Sequence, residues 1–106
     1  MTLQDFINET SNIPDKSQYG LLLQVDGFDE VPRKIEIDIT NKIIRLLGFY
    51  STPMWDIITL QDFINFTNHI QDKSEYDIVL QVDGLDDDAY FIEIDKSLVL
   101  IRIFGF

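Results

Sequence analysis

The sequence predicts an α+β protein: two tandem αβββ units with antiparallel sheets, related by a pseudo-twofold and closed around a shared core. Three observations predict it. Residues 2–49 align without a gap with residues 59–106 at a constant offset of 57, and 27 of these 48 pairs are identical, which marks a duplicated unit. Each copy opens on a threonine followed three residues later by an aspartate, ahead of an apolar stripe of helical spacing. Each then carries apolar and polar residues in strand-like runs.

The elements follow in chain order. Thr2 with Asp5, and Thr59 with Asp62, form capping boxes whose side-chain oxygens accept from the free amides of a helix start. Leu3, Phe6, Ile7 and Thr10, and likewise Leu60, Phe63, Ile64 and Thr67, place one apolar stripe on a helix of about three turns. Pro14 and the following Asp-Lys-Ser end the first helix. Helices this short are marginal alone in water and must pack on a sheet.

Tyr19, Leu21, Leu23 and Val25, matched by Tyr76, Ile78, Leu80 and Val82, make the inward face of a first strand. Asp26-Gly27 and Asp83-Gly84 then open an acidic connection. The second strand alternates most clearly, with Ile35, Ile37 and Ile39 inward and Lys34, Glu36 and Asp38 outward; Ile92 and Ile94 oppose Glu93 and Asp95 in copy two. The third strand, 42–49 or 99–106, is apolar on both faces and needs cover on two sides. Short connections imply antiparallel order.

A unit of 48 residues buries too little surface to stand comfortably alone. The chain therefore divides into a first αβββ repeat (1–49), an apolar joint (50–57) and a second αβββ repeat (58–106), together one compact domain. The joint carries Met54, Trp55 and Ile57, is too apolar for a free linker, and is expected to pack across the seam.

Charge narrows function. Nineteen acidic residues against eight basic ones give a net charge of −11, which repels phosphate backbones and anionic lipid. Direct nucleic-acid or membrane binding is not expected. The chain has no cysteine, so disulfides, thiolate metal sites and cysteine nucleophiles are excluded. No basic-then-apolar leader opens the chain and no apolar run approaches the roughly 18 residues of a span. A cytoplasmic protein is the expectation.

Catalysis has little support: the single histidine, His69, matches Asn12 in the other copy and reads as a surface residue. No serine or threonine stands in a nucleophile elbow. The outward pairs Glu36/Asp38 and Glu93/Asp95 read as solvated strand faces, with Lys34 as a neutralising neighbour. The acidic turns lack the alternating acids, central glycine and distant glutamate of a calcium loop. No enzyme activity, metal or cofactor is expected.

The candidate partner-binding residues are the acids of those turns: Asp26, Asp29 and Glu30 in copy one, and Asp83, Asp86, Asp87 and Asp88 in copy two. Either they are plain solvated turns, or their carboxylates copy a nucleic-acid backbone and occupy a basic groove on a protein partner. Divergence adds two candidates. Glu9 becomes Phe66, and Arg33-Lys34 becomes Tyr90-Phe91. Phe66 is expected in the seam; Tyr90 and Phe91 either fill the seam or form an apolar partner patch.

The pattern of a threonine-capped opening helix (Thr2 to Ile7, Thr59 to Ile64), an LxVxG-type strand (Leu23 to Gly27, Leu80 to Gly84) and an I-x-I-D strand (Ile35 to Asp38, Ile92 to Asp95) resembles very small proteins of phages and prophages. Some of those resemble inhibitors of bacterial immunity, including anti-CRISPR proteins. The resemblance implies an inhibitor of a host defence protein acting in the bacterial cytoplasm, often as a homo-oligomer; this chain departs from it in the fusion of two units, which would replace a homodimer by a covalent one. Two other classes stay open on the residues alone: an immunity or antitoxin protein that plugs a toxin, and a structural or assembly module that pairs through a sheet edge.

Overall fold

The computed structural model describes residues 1–48 and 57–105. Helix α1 (Leu3–Thr10) and helix α2 (Leu60–Thr67) start where the capping boxes place them. The Asp5 amide donates to Thr2 Oγ1 at 3.1 Å and the Thr2 amide to Asp5 Oδ2 at 3.0 Å; Asp62 and Thr59 repeat both bonds at 3.1 and 3.0 Å. Thr10 and Thr67 are fully buried, yet each hydroxyl donates to a helix carbonyl 2.9 Å away, on Phe6 and Phe63, so the stripe carries no unsatisfied donor. Lys16 and Lys73 each donate to two carbonyls of the turn just past the preceding helix, those of Ser11 and Ile13 and of Asn68 and Ile70, which gives the repeated Asp-Lys-Ser a purpose.

Among the described residues eight strands follow, four from each half, where the sequence suggested three. They are β1 (Gly20–Val25), β2 (Phe28–Glu30), β3 (Pro32–Asp38), β4 (Ile43–Gly48), β5 (Asp77–Val82), β6 (Leu85–Asp88), β7 (Phe91–Asp95) and β8 (Leu100–Phe104). The extra strands β2 and β6 lie in the segments read as acidic connections. Asp26 (φ 55°) and Gly27 (φ 81°), like Asp83 (φ 52°) and Gly84 (φ 83°), form two-residue turns of positive φ. That is the tight hairpin conformation an Asp-Gly pair favours.

The expected antiparallel order is corrected too. Both sheets are mixed, in the orders β2-β1-β8-β7 and β3-β4-β5-β6. The local hairpins are antiparallel, but β1 runs parallel to β8 (Gly20 opposite Leu100) and β4 parallel to β5 (Ile43 opposite Asp77). A single residue, Val31, separates β2 from β3, too short a link to return the chain to the same sheet. The open edge of β1 is filled instead from the other half.

The helices are exchanged in the same way. The Leu3 amide donates to the Tyr76 carbonyl and the Ile78 amide to Met1, at 2.8 and 3.0 Å; Leu60 to Tyr19 and Leu21 to Ile58 repeat this at 2.8 and 2.9 Å. Each helix lead-in is thus stitched to the first strand of the opposite half. One apolar cluster draws on both helices and both sheets, including Leu3, Leu21, Ile44, Leu60, Ile78 and Ile101. Phe6 and Phe63 meet within it edge to face, centroids 5.0 Å apart.

Of the joint, Met54 and Trp55 lie outside the described residues. Ile57 packs on β1, where a Cβ added to Gly20 would come within 2.5 Å of its Cγ2, so glycine is required at this close approach. Ile39, expected inward, lies past the end of β3 and is 71% exposed. Phe66, expected in the seam, is 48% exposed on α2.

Candidate functional site

Strand alternation splits the candidate acids into two sets. Asp29 pairs opposite Gln24, and Asp86 opposite Gln81, on the faces turned away from the core. There the Gln24 and Gln81 amides donate to them at 3.0 and 2.8 Å. Arg102 of β8 stands 3.4 Å from Asp29, 3.4 Å from Glu93 and 3.3 Å from Asp95. Arg45 of β4 stands 3.3 Å from Asp86 and 3.6 Å from Asp38. Asp29 and Asp86 are each tied to one of these arginines while staying exposed, and because Arg102 faces three carboxylates and Arg45 two, both faces keep a net negative charge. The neutralising groups of these faces are the two arginines, together with Lys34, which lies 3.5 Å from Glu36.

Sequence reasoning passed over Arg45 and Arg102. Their signal was present: an arginine at the polar step of an otherwise apolar strand, identical in both copies. Turn hydrogen bonds complete this network. Asp38 accepts from the Asn41 side chain and backbone, and Asp95 from Ser97 and Leu98; these bonds, ahead of the arginines, hold both carboxyls below the ordinary aspartate range.

Glu30 and Asp87 form the second set, opposite Leu23 and Leu80 on the core side of edge strands β2 and β6. Glu30 is only 5% exposed. Its carboxyl is pushed up first by burial and then by the charges of Asp83 and Asp29; Asp87 is pushed up by burial and then by Asp26, Asp86 and Asp88. The two hairpins also meet in space: the Gly105 amide donates to the Gln24 carbonyl of the first at 2.9 Å while Gly105 lies against Asp87 of the second, and Gly48 pairs with Val82 while lying against Glu30, so the two turns converge at one end of the molecule. Asp26, Asp83 and Asp88 are exposed there, beside Phe28 (65% exposed) and Leu85 (72%). Inward carboxylates on strands this short also blunt edge-to-edge pairing.

The remaining candidates lie elsewhere. Tyr90 and Phe91 are each 53% exposed and do not fill a seam. Phe91 stacks on Phe104, centroids 4.4 Å apart and planes at 8°. Among the described residues no group of three or more His, Asp or Glu is placed to hold a metal. His69 is exposed just beyond α2.

The fold and this surface define an α+β protein of two mixed sheets carrying an acidic hairpin end. No family model, curated protein or solved structure matches the chain. Among the described residues no helix is long and apolar enough to cross a membrane.

The raised carboxyls predict a pH effect. A folded-state pKa above the unfolded value means that the folded protein binds the extra proton. Stability is then greatest below the ordinary values, near 4.5 for Glu30 and 3.8 for Asp87, and falls as pH rises through the raised ones. Glu30→Gln is expected to stabilise at pH 7, because it removes the charge that burial and the neighbouring carboxylates oppose, and Asp87→Asn to do so by less. Urea unfolding from pH 4 to 7 checks this: the stability of the double variant relative to the wild type should increase as pH rises across that range.

Proposed function

We propose that this chain is a non-enzymatic acidic binding protein that occupies a basic surface on a protein partner, as a phage-encoded inhibitor of a host defence protein would. What carries the reading is the convergence of two hairpins bearing Asp26, Glu30, Asp83, Asp87 and Asp88 at one end, where Gly105 bonds Gln24 and lies against Asp87, and Gly48 pairs with Val82 and lies against Glu30. Their mutual repulsion is relieved by a guanidinium or ammonium placed between the turns. Phe28 and Leu85 add apolar contact next to the charge. Two acidic turns set side by side are also a means of imitating a phosphate backbone in a basic groove.

The two halves are proposed to be related by a pseudo-twofold and to make one domain, with repeats at 1–49 and 58–106 and a joint at 50–57. Recurrence of each strand register at an offset of 57 supports this: Leu23 opposite Glu30 with Leu80 opposite Asp87, and Ile43 opposite Asp77 with Leu100 opposite Gly20. On this reading the two turns are symmetry mates, and a bivalent grip follows.

Fluorescence anisotropy with a labelled arginine-rich peptide tests the surface. Affinity is expected to fall steeply with salt and to drop at least tenfold, or about 1.4 kcal/mol, in the triple variant Asp26→Asn, Asp83→Asn, Asp87→Asn. Equal affinity of variant and wild type removes the reading. The inhibitor role is tested by phage plating on bacteria that carry a nucleic-acid-targeting defence system. The wild-type chain should raise plating, and the triple variant should not.

A further inference from the structure

The positions where the copies diverged from polar to aromatic exchange chemistry between two places on the surface. On one side, Arg33 and Lys34 of β3 and Phe66 of α2 line one depression of about 450 Å³, floored by Ile35 and Ile58 and flanked by Asp62. All three of Arg33, Lys34 and Phe66 are exposed. The residues equivalent at an offset of 57 are Glu9 of α1 and Tyr90 and Phe91 at the start of β7, all exposed, and the Met1 amino group ahead of α1 donates to the Ala89 carbonyl at 3.0 Å, which seats that helix lead-in beside them. The backbone bonds that seat α1 beside β5 and α2 beside β1 recur at the same offset. One place therefore has cations on the strand and an aromatic on the helix; the other has aromatics on the strand and an acid on the helix.

We infer that these two surfaces bind each other between separate molecules, so that the partner of the Arg33–Lys34–Phe66 depression is the Glu9–Tyr90–Phe91 surface of a second copy of this chain. Facing the two across a local twofold brings helix position onto strand position twice. Phe66 then meets Tyr90 and Phe91, and Arg33 with Lys34 meets Glu9. Both contacts are complementary: aromatic on aromatic, cation on carboxylate. If the depression paired with another copy of itself, Phe66 would meet Arg33 and Lys34, and on the other side Glu9 would meet the aromatics. The unlike pairing uses every group. Because the two surfaces differ and each molecule carries both, the contact is head-to-tail and propagates beyond a dimer unless its rotation closes a ring.

This contact uses none of the hairpin-end carboxylates, so its fate is separate from that of the proposed binding surface. Salt separates them as well. Capture of a cationic partner weakens as salt rises, whereas chains of charge −11 repel one another, and moderate salt screens that repulsion before it weakens a desolvated contact.

Sedimentation velocity provides the test. Wild-type mass is expected to climb above the 12.4 kDa of one chain over about 0.01–1 mM, the range for a contact of modest area, and to climb further at moderate salt. Glu9→Lys should weaken association at least tenfold, and so should Arg33→Glu with Lys34→Glu. The chain with all three changes should recover it, as should an equimolar mixture of the two defective variants. Asp15→Lys, the same charge change at an exposed site elsewhere, should not weaken it. A strictly monomeric wild type overturns the inference. So does failure of the three-change chain and the mixture to recover, or an Asp15→Lys effect equal to that of Glu9→Lys.

Discussion

Phe63→Ala is expected to cost about 3–5 kcal/mol of folding stability, and Phe6→Ala a similar amount, because each ring is fully buried and its loss leaves a cavity. The expected total for a domain of this length is about 5–15 kcal/mol, so either change consumes a large share. The rings touch edge to face at 5.0 Å, and the double variant should therefore lose less than the two singles together, by about 0.5–1.5 kcal/mol. Urea unfolding followed by circular dichroism checks both numbers. Its shape adds a third result. The helices seat on opposite halves and share one cluster, so each variant should unfold in a single transition. A separate early transition for one half would contradict the exchanged architecture.

Replacing Arg102 by Met should produce the largest loss among single surface changes, with Arg45→Met close behind. Arg102 is surrounded by Asp29, Glu93 and Asp95 and its side chain is only 17% exposed. Removing it leaves three carboxylates facing one another across four strands. Lys42, though 2.6 Å from both Asp72 and Glu75, is 44% exposed, and its loss should cost less because water replaces it. The sign with pH follows from Asp95, whose folded pKa lies below its ordinary value near 3.8. Such a group contributes stability above that value and loses it as pH falls through the folded pKa. The gap in melting temperature between wild type and Arg102→Met should be several degrees at pH 7 and should narrow towards pH 3. A gap that stayed constant with pH would mean that the arginine acts by packing alone.

Much of this protein was legible residue by residue. The capping boxes, the helix stripes and the inward faces of β1, β3, β5 and β7 sit where the spacing placed them, Ile39 excepted, because each depends on groups a few residues apart. The acidic segments were misread because β2 and β6 are too short for periodicity to show. Their carboxylates look like solvated turn residues until the Asp-Gly hairpin sets them on alternate faces. That alternation decides the candidate site. It sends Asp29 and Asp86 to the arginines and turns Glu30 and Asp87 towards the core. Phe66 was misjudged for a related reason: its place on the helix is set by which sheet the helix covers.

What the amino acids determined unaided was the set of parts: a duplicated unit, two capped helices, the hairpin turns and the faces that must be buried. Bonds within a turn or a helix end enforce these, whatever the rest of the chain does. Which strand lies beside which was decided only by the tertiary structure. β4 and β8 share the same isoleucine and arginine at matching positions (Ile44/Ile101, Arg45/Arg102), with Gly48 ending β4 and Gly105 following β8, so no local chemistry tells β1 which of the two to join. The one-residue link after β2 and the closing of both helices over a common core made that choice, and in making it brought the two acidic turns together.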